Sequence, residues 1–559
     1  MKILKRFPLL IILGVSATFP ARPAQALEVA VDCDYLILTD SLLLPQARRL
    51  ADFRSLTALD RIVKPQVATM GDIEREYPVT GQRSLSVSAF LRAVKQKNGK
   101  LPVHLVLFGD ASVDPAAPGD RVPTYTYQAR DPNYWNPIVY DTLASDDVYG
   151  TLLDTLSFDS LRFSASVGRV PASTIAQARA YVDKVEAYET HYPYGPMAFT
   201  YGFANDDQTQ HGAPGDQDPI TDMYCTYQNI WDALKRKPFV RRMLSIEFPM
   251  DTNFTKPAAR DSLLALMNAG PTRLYFAGHS SMSQFTDEKV FKTPDDLPRL
   301  KPKALQPIVA FIGSSTAGFA DRYSVSMGEE LLFHPHGSIA FFGPMSFSYP
   351  NPALELMQRW GDSALQGGTL GTSISRAKSG GSTDPINDQG FALLGDPGLT
   401  LRVPAFDLVP AAGSSRSRLT LQDAGAAGDS IYLQLVQVDT LSMNPFPGPD
   451  PMPPDRVFLR ERLIGEVRGV LGAGGAASLD IPWISASPSA AAIKVMTWNG
   501  SGMRYGHFPL SEIGPVSLRK PGVRTESKRY RIIMENGGIH LEIPGSIFRR
   551  VDVNGAESK

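Results

Sequence analysis

The sequence predicts an α/β protein whose parallel-sheet unit is followed by a smaller antiparallel β-domain. From residue 34 to residue 401, short apolar runs alternate with segments whose apolar residues recur at helical spacing. Strands and helices that alternate in this way build a parallel sheet with helices on its faces. Beyond a small, polar linker at 409–418, apolar residues instead alternate with a period of two. That pattern is typical of antiparallel strands with one buried face.

The first half of the predicted α/β unit spans residues 27–190. Four apolar runs indicate strands, namely "DYLILTD", "RIVKPQVATM", "PVHLVLFGDAS" and "SASVGRVPAST". Helical spacing predicts a helix in "PQARRLADFRSLTAL" and two more over 84–97 and 174–190. Ser173 or Thr174 is the expected N-cap of the last helix, because a hydroxyl there accepts from the free N–H groups of the first turn.

The second half spans residues 191–408 and repeats the alternation. Its predicted strands are "MAFTYGFANDD", "RMLSIEF", "RLYFAGHS", "PIVAFIGSS", "SIAFFGP" and "FALLGDPGLTL". Helices are expected over 221–235, 258–269, 327–333 and 352–360. The sequence therefore predicts two subdomains of one parallel-sheet unit.

Residues 419–559 form the predicted β-domain, which we expect to resemble a β-sandwich. "SIYLQLVQVD" alternates apolar and polar residues, and "NGSG" and "ENGG" each separate two strand-like runs. Asn-Gly turns between such runs are typical of β-hairpins. A Pro-rich insert at 444–455 is expected to be extended and exposed.

Residues 1–26 have the layout of a secretory signal peptide. The basic "MKILKR" precedes the apolar "FPLLIILGVSATF", and the small residues Ala24 and Ala26 mark a cleavage site. No later stretch reaches the length of a membrane span. We therefore expect a mature chain without a span, exported to the periplasm, the cell surface or the extracellular space.

Charge and cysteine content limit the possible partners. The formal net charge is −1, which argues against nucleic acid as a partner. The two cysteines are Cys33 and Cys225. Export permits a disulfide between them, and two buried free thiols are the other possibility.

Two consecutive strand ends carry the residues with the clearest chemical potential. "LYFAGHSS" places His279 after one predicted strand, and "VAFIGSSTAG" places Ser314 and Ser315 after the next. If these strands are adjacent and parallel, an imidazole and a hydroxyl meet at one edge of the sheet, which nucleophilic catalysis requires. A hydrogen-bonded structural histidine and an ordinary serine turn are the alternative.

The order of several phrases resembles the gingipain family of caspase-like cysteine peptidases. They include "DYLILTD", "LVLFGDASVDP", "ASDDVYG", "YFAGHSS", "IGSSTAGF", "MGEELLFHPHGSIAFFGP", "GTLGTSISRAK" and "LLGDPGLTL". The resemblance covers about residues 34–403 and implies a caspase-like unit, hydrolysis of peptide bonds and a protein or peptide substrate. It implies no organic cofactor.

The resemblance also implies a Cys-His dyad, with His279 as the histidine and Ser315 at the cysteine position. A second departure is Ser280, which stands where the family has glycine after the histidine. The backbone N–H groups of Ser280 and Ser315 are the oxyanion-hole candidates. A thiol is partly ionised near neutral pH, whereas a serine hydroxyl must lose its proton to a base during attack.

Three interpretations of Ser315 follow. The favoured one is an exported pseudopeptidase, in which cysteine peptidase activity is altered or lost and the scaffold binds or assembles with other molecules. The second is a serine-type hydrolase that uses Ser315 and His279. The third is a structural serine with no part in catalysis.

Aspartates at strand ends are the last set of candidates. Calcium prefers oxygen ligands, and the resemblance implies calcium sites, for which the candidates are Asp110, Asp114, Asp206 and Asp207. Asp146, in the phrase "ASDDVYG", is the candidate carboxylate that orients His279. Helix caps and solvated turns are the alternative role for each of these residues.

Overall fold

The computed structural model describes most of the chain. The described residues are 27–56, 64–114, 120–127, 143–153, 161–206, 238–245, 251–321, 324–410, 414, 418–421, 424–442, 457–472, 477–480, 491–510, 531–535 and 538–542. The predicted helix at 221–235, Cys225, Asp207 and the signal peptide lie outside these ranges.

One large sheet organises the α/β unit, and two small two-stranded sheets flank it. The strands in chain order are β1 (Tyr35–Thr39), β2 (Pro65–Thr69), β3 (His104–Phe108), β4 (Tyr125–Tyr127), β5 (Leu143–Ser145), β6 (Ser166–Val170), β7 (Thr200–Asn205), β8 (Val240–Ser245), β9 (Arg273–Ala277), β10 (Gln284–Phe285), β11 (Phe291–Lys292), β12 (Ile308–Ile312), β13 (Ala340–Pro344) and β14 (Phe391–Leu394).

The large sheet has ten strands in the order β2-β1-β3-β6-β14-β13-β12-β9-β7-β8. Every neighbouring pair is parallel except β13 and β14, which run antiparallel. The sheet continues across the predicted boundary at residue 190, because β14 from the second half pairs with β6 from the first through Leu394 and Arg169.

Helices cover both faces of this sheet. They are α1 (Leu44–Arg54), α2 (Met70–Glu76), α3 (Ser84–Asn98), α4 (Asp147–Thr151), α5 (Ile175–Thr190), α6 (Pro257–Asn268), α7 (Thr293–Asp296), α8 (Met327–Phe333), α9 (Pro350–Ala364), α10 (Leu370–Lys378) and α11 (Pro385–Gln389). In the described part of the chain, no helix has the length and apolarity to cross a membrane.

Burial explains why the strands read as continuous apolar runs. All five residues of β1 are buried, and so are those of β3, β9, β12 and β13. Along β1 the residues alternate between two cores, with Ile37 in one and Leu36 and Leu38 in the other. A sheet with apolar contacts on both faces selects apolar residues at every strand position.

Local capping residues fix the starts of two helices. Thr174 accepts from the backbone N–H of Gln177 at 3.2 Å and so caps α5, in line with one of the two expected caps. Ser326 and Glu329 form the same reciprocal arrangement at the start of α8. These bonds satisfy N–H groups that have no partner inside the helix.

The C-terminal part is antiparallel, as predicted. Its strands are β15 (Arg418–Leu421), β16 (Ser430–Ser442), β17 (Val457–Val470), β18 (Ala477–Asp480), β19 (Ala491–Trp498), β20 (Met503–Pro509), β21 (Arg531–Glu535) and β22 (Gly538–Glu542). Four of them form a sheet in the order β17-β16-β19-β20, and both predicted hairpins are present as β19–β20 and β21–β22.

Aromatic side chains join the β-domain to the α/β unit. The Tyr505 ring lies 5.4 Å from that of Phe199, and the Tyr432 ring lies 5.1 Å from that of Phe239. The buried Lys494 ammonium donates to the Pro238 carbonyl at 3.0 Å. The predicted fold class, an α/β parallel-sheet unit followed by an antiparallel β-domain, is confirmed.

Candidate functional site

The strands that carry His279 and Ser315 are neighbours in the large sheet. β9 and β12 pair in parallel, with Ala277 opposite Ile312. The Gly278 N–H extends this ladder by donating to the Ile312 carbonyl at 3.0 Å. Both strands therefore end at the same edge, and the two turns that follow them lie side by side.

A carboxylate from a third strand faces the histidine. Asp206 follows β7, the neighbour of β9 on its other side, and its Oδ2 lies 3.4 Å from His279 Nδ1. The same oxygen accepts from the His279 backbone N–H at 3.0 Å. A Cβ on Gly278 would lie 2.5 Å from the Asp206 Cβ. The glycine therefore permits the carboxylate to approach the histidine this closely.

The two members of this pair differ in their exposure to solvent. The Asp206 side chain is 4% exposed and the His279 side chain 33%. One nitrogen of the imidazole thus faces a shielded carboxylate, while part of the ring stays open to solvent or a ligand. A histidine that must move a proton requires this kind of orientation.

Ser280 fixes the turn that presents Ser315. Its Oγ accepts from the Ser314 N–H at 2.7 Å and donates to the Ser314 carbonyl at 2.9 Å. It occupies the space that a Cβ on Gly313 would need. Ser280 therefore holds the neighbouring turn through its side chain.

Ser315 itself has a strained backbone. Its φ is +59°, in the left-handed region, and the residue is only 6% exposed. A non-glycine residue in this region costs about 1 kcal/mol. Strain of this kind persists where surrounding contacts impose it, and it is often found at functional sites.

The N–H of Ser315 is already engaged. It donates to the Ser346 carbonyl at 2.8 Å, and the Ser348 hydroxyl donates to the Gly313 carbonyl in the same turn. This arrangement departs from the expected oxyanion role of the Ser315 N–H. An N–H group that already donates to a carbonyl is not available to donate to a developing oxyanion. The Ser280 N–H has no acceptor among the described residues and remains open for that role.

Asp146 does not occupy the position expected for the carboxylate that orients His279. Its two carboxylate oxygens accept from Arg169 Nε at 2.7 Å and Nη2 at 2.8 Å, and Thr124 donates to one of them. Arg169 lies on β6, and three strands separate β6 from β9. Asp146 thus belongs to a buried ion pair in another part of the sheet, and Asp206 is the acid that faces His279.

The expected calcium ligands also do not converge. Asp110 follows β3 and Asp206 follows β7, with five strands between them, a separation of roughly 28 Å at the usual strand spacing. Asp110 accepts from the Ser173 hydroxyl and the Ala111 N–H, and the Asp114 N–H donates to Ser112. Within the described ranges, no group of three acidic, histidine or cysteine side chains is placed to hold a metal ion. Asp207 lies outside those ranges.

Comparison with known families agrees with this architecture. Residues 29–402 match the model of peptidase family C25, which covers more than half of the 559 residues. The chain therefore belongs to peptidase family C25, the gingipain family. Membership of a peptidase family implies a protein or peptide substrate.

Solved structures show distant similarity only. The crystal structure of the Arg-specific cysteine proteinase gingipain R has 14% sequence identity and a TM-score of 0.49, with 86% of this chain and 99% of that chain covered. The complex of Porphyromonas gingivalis RgpB pro- and mature domains has 13% identity and a TM-score of 0.47, covering 84% and 99%. Dimeric latent PorU from Porphyromonas gingivalis has 16% identity and a TM-score of 0.37, covering 90% and 44%. Comparison with curated proteins gave no match.

Proposed function

We propose that this protein is an exported member of its family whose cysteine peptidase activity is altered or lost, and that its strand-end site binds peptide segments of other proteins. The observation that carries the proposal is Ser315. It offers a hydroxyl where the gingipain resemblance expects a thiol, and its N–H donates to Ser346.

The chemistry of the two nucleophiles explains why this combination favours a disarmed site. A thiolate forms near neutral pH and attacks without help, whereas a serine hydroxyl needs a base within hydrogen-bond reach. The tetrahedral intermediate also needs N–H donors, and Ser280 offers one while Ser315 does not. Binding of an extended peptide needs neither feature, so it survives when turnover is lost.

A serine-type hydrolase is the second candidate, and the His279–Asp206 pair favours it. In this alternative His279 takes the Ser315 proton and returns it to the leaving amine, while Asp206 orients the ring and stabilises its charged form. The Ser280 N–H then faces the oxyanion. The carbonyl of Ser346 must move aside before Ser315 supplies the second donor.

A serine-reactive phosphonate probe separates the two candidates. We expect the mass of the purified mature chain to stay unchanged on incubation with the probe, as the mass of a Ser315→Ala control does. Covalent labelling that disappears in both Ser315→Ala and His279→Ala would contradict the disarmed site and establish the serine hydrolase.

A Ser315→Cys variant tests the proposed origin of the inactivity. We expect it to react with a thiol-alkylating probe faster than the same variant carrying His279→Ala, because the imidazole promotes the thiolate. Binding of unstructured casein fragments by the unmodified protein tests the retained function. No binding to the parent, combined with no gain of reactivity in Ser315→Cys, would overturn the proposal.

Export is a separate part of the proposal and is supported by the sequence of residues 1–26. N-terminal sequencing of the protein recovered from outside the cytoplasm is expected to begin at Leu27. A mature chain that retains Met1 in the cytoplasm would contradict it.

A further inference from the structure

A small cavity lies at the end of the sheet opposite to His279 and Ser315. It has a volume of about 20 Å³, which suffices for one occupant the size of a water molecule. Thr400, Arg402 and Val403 in its wall are half-buried. The cavity therefore approaches the protein surface on that side, which gives a small solute a route of entry.

The inner wall of the cavity contains a buried arginine. Arg273 is 4% exposed and begins β9. Its Nη2 donates to the Ala364 carbonyl at 3.2 Å, whereas its Nη1 has no hydrogen-bond partner. The guanidinium carbon lies 4.9 Å from the Tyr201 ring centre and 5.6 Å from that of Trp360. These rings shield the charge from water but cannot neutralise it.

Among the described residues, the ion pairs beside the cavity join other arginines to carboxylates and do not include Arg273. Arg402, also in the cavity wall, pairs with Glu189 at 3.3 Å, and Glu189 pairs with Arg54 at 2.9 Å. Arg54 in turn pairs with Asp396 at 2.5 Å. With Arg273 the group contains three arginines and two carboxylates. Within the part of the chain that the structure describes, no carboxylate forms an ion pair with Arg273. Burial disfavours its charged form, and the neighbouring groups that favour it are tyrosines.

The neighbouring tyrosines do not supply the missing negative charge. Burial raises the pKa of Tyr188, Tyr192 and Tyr201 above the usual range, so their hydroxyls stay protonated at physiological pH. The Tyr201 hydroxyl also has no hydrogen-bond partner, and the residue is 1% exposed. Tyr201 also lines the cavity, so a second donor without a partner belongs to a residue of its wall.

We propose that this cavity binds a single small monovalent anion of halide size, with chloride as its natural occupant, between Arg273 Nη1 and the Tyr201 hydroxyl. A water molecule would satisfy both donors but would leave the buried guanidinium without a counter-charge, which is energetically costly. The volume excludes phosphate and larger carboxylates. The aromatic rings around the guanidinium favour a weakly hydrated ion over a multiply charged one.

The distance of the anion site from His279 indicates that the anion affects stability and not catalysis. Arg273 is the first residue of the strand whose other end leads to His279, so the anion contacts the sheet far from the reacting groups. Its expected effect is to stabilise the fold. The proposal is thus independent of whether Ser315 is reactive.

Thermal unfolding of the full mature chain tests this site. At constant ionic strength, we expect the midpoint to be about 3 °C higher in sodium chloride than in sodium gluconate, whose anion is too large for the cavity. Arg273→Met removes the charge and is expected to abolish the difference. Tyr201→Phe keeps the ring and is expected to raise the half-saturating chloride concentration about tenfold.

The exposed Arg179→Met variant is the matched control, and its chloride dependence should equal that of the parent. Equal chloride dependence in parent, Arg273→Met and Tyr201→Phe would overturn the proposal. If Arg273→Met does not fold, Tyr201→Phe decides. Crystals soaked in bromide provide the direct view, with an anomalous peak between Arg273 and Tyr201 expected; water alone at that position would refute the anion.

Discussion

At the scale of single residues, the candidate site combines an oriented histidine with a restrained serine turn. His279 and the Ser314–Ser315 turn could be singled out from the sequence because they follow apolar strands, whereas the choice of Ser315 and the interest of Ser280 came from the family resemblance. The partnership of Asp206 with His279 could not, because it depends on β7 lying beside β9, and strand order is not encoded in local periodicity. The bond from the Ser315 N–H to Ser346 was equally inaccessible, since it joins residues 31 positions apart.

The backbone conformation of Ser315 yields a stability prediction. Glycine adopts a φ of +59° without steric cost, whereas alanine keeps the strain. We therefore expect Ser315→Gly to have a free energy of unfolding about 1 kcal/mol above that of Ser315→Ala, measured by urea denaturation. Equal values for the two variants would show that the turn is not strained in solution.

Ser280 should be as important for the turn as its two bonds to Ser314 suggest. Removing the hydroxyl leaves the Ser314 N–H and carbonyl without these partners, which costs about 1–3 kcal/mol. Ser280→Ala is expected to lose that much free energy of unfolding, while the exposed Ser281→Ala serves as the neighbouring control. A loss no greater than that of the control would rule out the proposed restraint.

Asp110 gives the fold a measurable pH dependence. Burial raises the pKa of its carboxyl from 3.8 to about 6, against opposing effects from Ser173, Arg169 and Arg121. Because the folded state holds this proton more tightly than the unfolded state, the stabilisation is complete below about pH 4 and is lost as the pH rises through 6.

We expect the free energy of unfolding of the parent to fall by about 2 kcal/mol more than that of Asp110→Asn across this interval. Urea titrations at several pH values provide the measurement. The exposed Asp52→Asn variant should follow the parent. An Asp110→Asn slope that matches the parent would contradict the assignment of this pH dependence to Asp110.

At the scale of elements, the sequence predicted all ten strands of the large sheet and six of the eleven described helices, because their apolar spacing reflects burial on one or both faces. The short elements α2, α4, α7, α10, α11, β4, β5, β10 and β11 were not predicted. The helix expected over 327–333 is present as α8 with those bounds. The helix expected over 352–360 is longer, since α9 starts at Pro350 and ends at Ala364. Proline is compatible with the first turn of a helix. Pro352, the predicted start, therefore lies within the first turn, and Pro350 is the first helical residue.

A buried lysine terminates α8. The Lys184 ammonium on α5 donates to the carbonyls of Leu332, His334 and Ser338 at 2.6, 2.6 and 3.1 Å. Three acceptors match the three N–H groups of the ammonium, and burial lowers the pKa of Lys184 to about 7. Carbonyls at a helix C-terminus have no partner within the helix, so this side chain provides their hydrogen-bond donors. A cation at this end also interacts favourably with the negative end of the helix dipole.

Lys184→Met should therefore reduce the free energy of unfolding by about 2–3 kcal/mol, measured by urea denaturation. Arg179→Met changes an exposed cation on the same helix and is expected to cost less than about 0.5 kcal/mol. Similar effects of the two variants would indicate that the three carbonyl bonds contribute no net stability.

At the scale of the whole molecule, buried ion pairs join regions far apart in the sequence. Arg54 at the end of α1 pairs with Asp396 after β14 and with Glu189 on α5. Asp147 pairs with Lys378 on α10. Sequence periodicity cannot predict such pairs, because in the sequence alone each partner is indistinguishable from a charged residue on the surface.

Breaking one buried pair should destabilise the molecule far more than breaking a surface pair. Asp396→Leu leaves Arg54 with one carboxylate partner fewer and is expected to cost about 3–5 kcal/mol. Arg49→Met removes exposed pairs with Asp183 and Glu186 and should cost less than about 1 kcal/mol. Calorimetric unfolding of both variants decides, and equal midpoints would show that burial adds nothing to this pair.

The antiparallel strand β14 has a consequence for synthesis. It is the last strand of the α/β unit to leave the ribosome, yet it lies in the middle of the sheet, between β6 and β13. Until residue 394 has emerged, both of those strands keep an open hydrogen-bonding edge, and open edges recruit other chains. The nascent protein thus stays exposed to misassembly from the synthesis of β6 until that of β14, and any product cut short before Phe391 is expected to be recovered as aggregates.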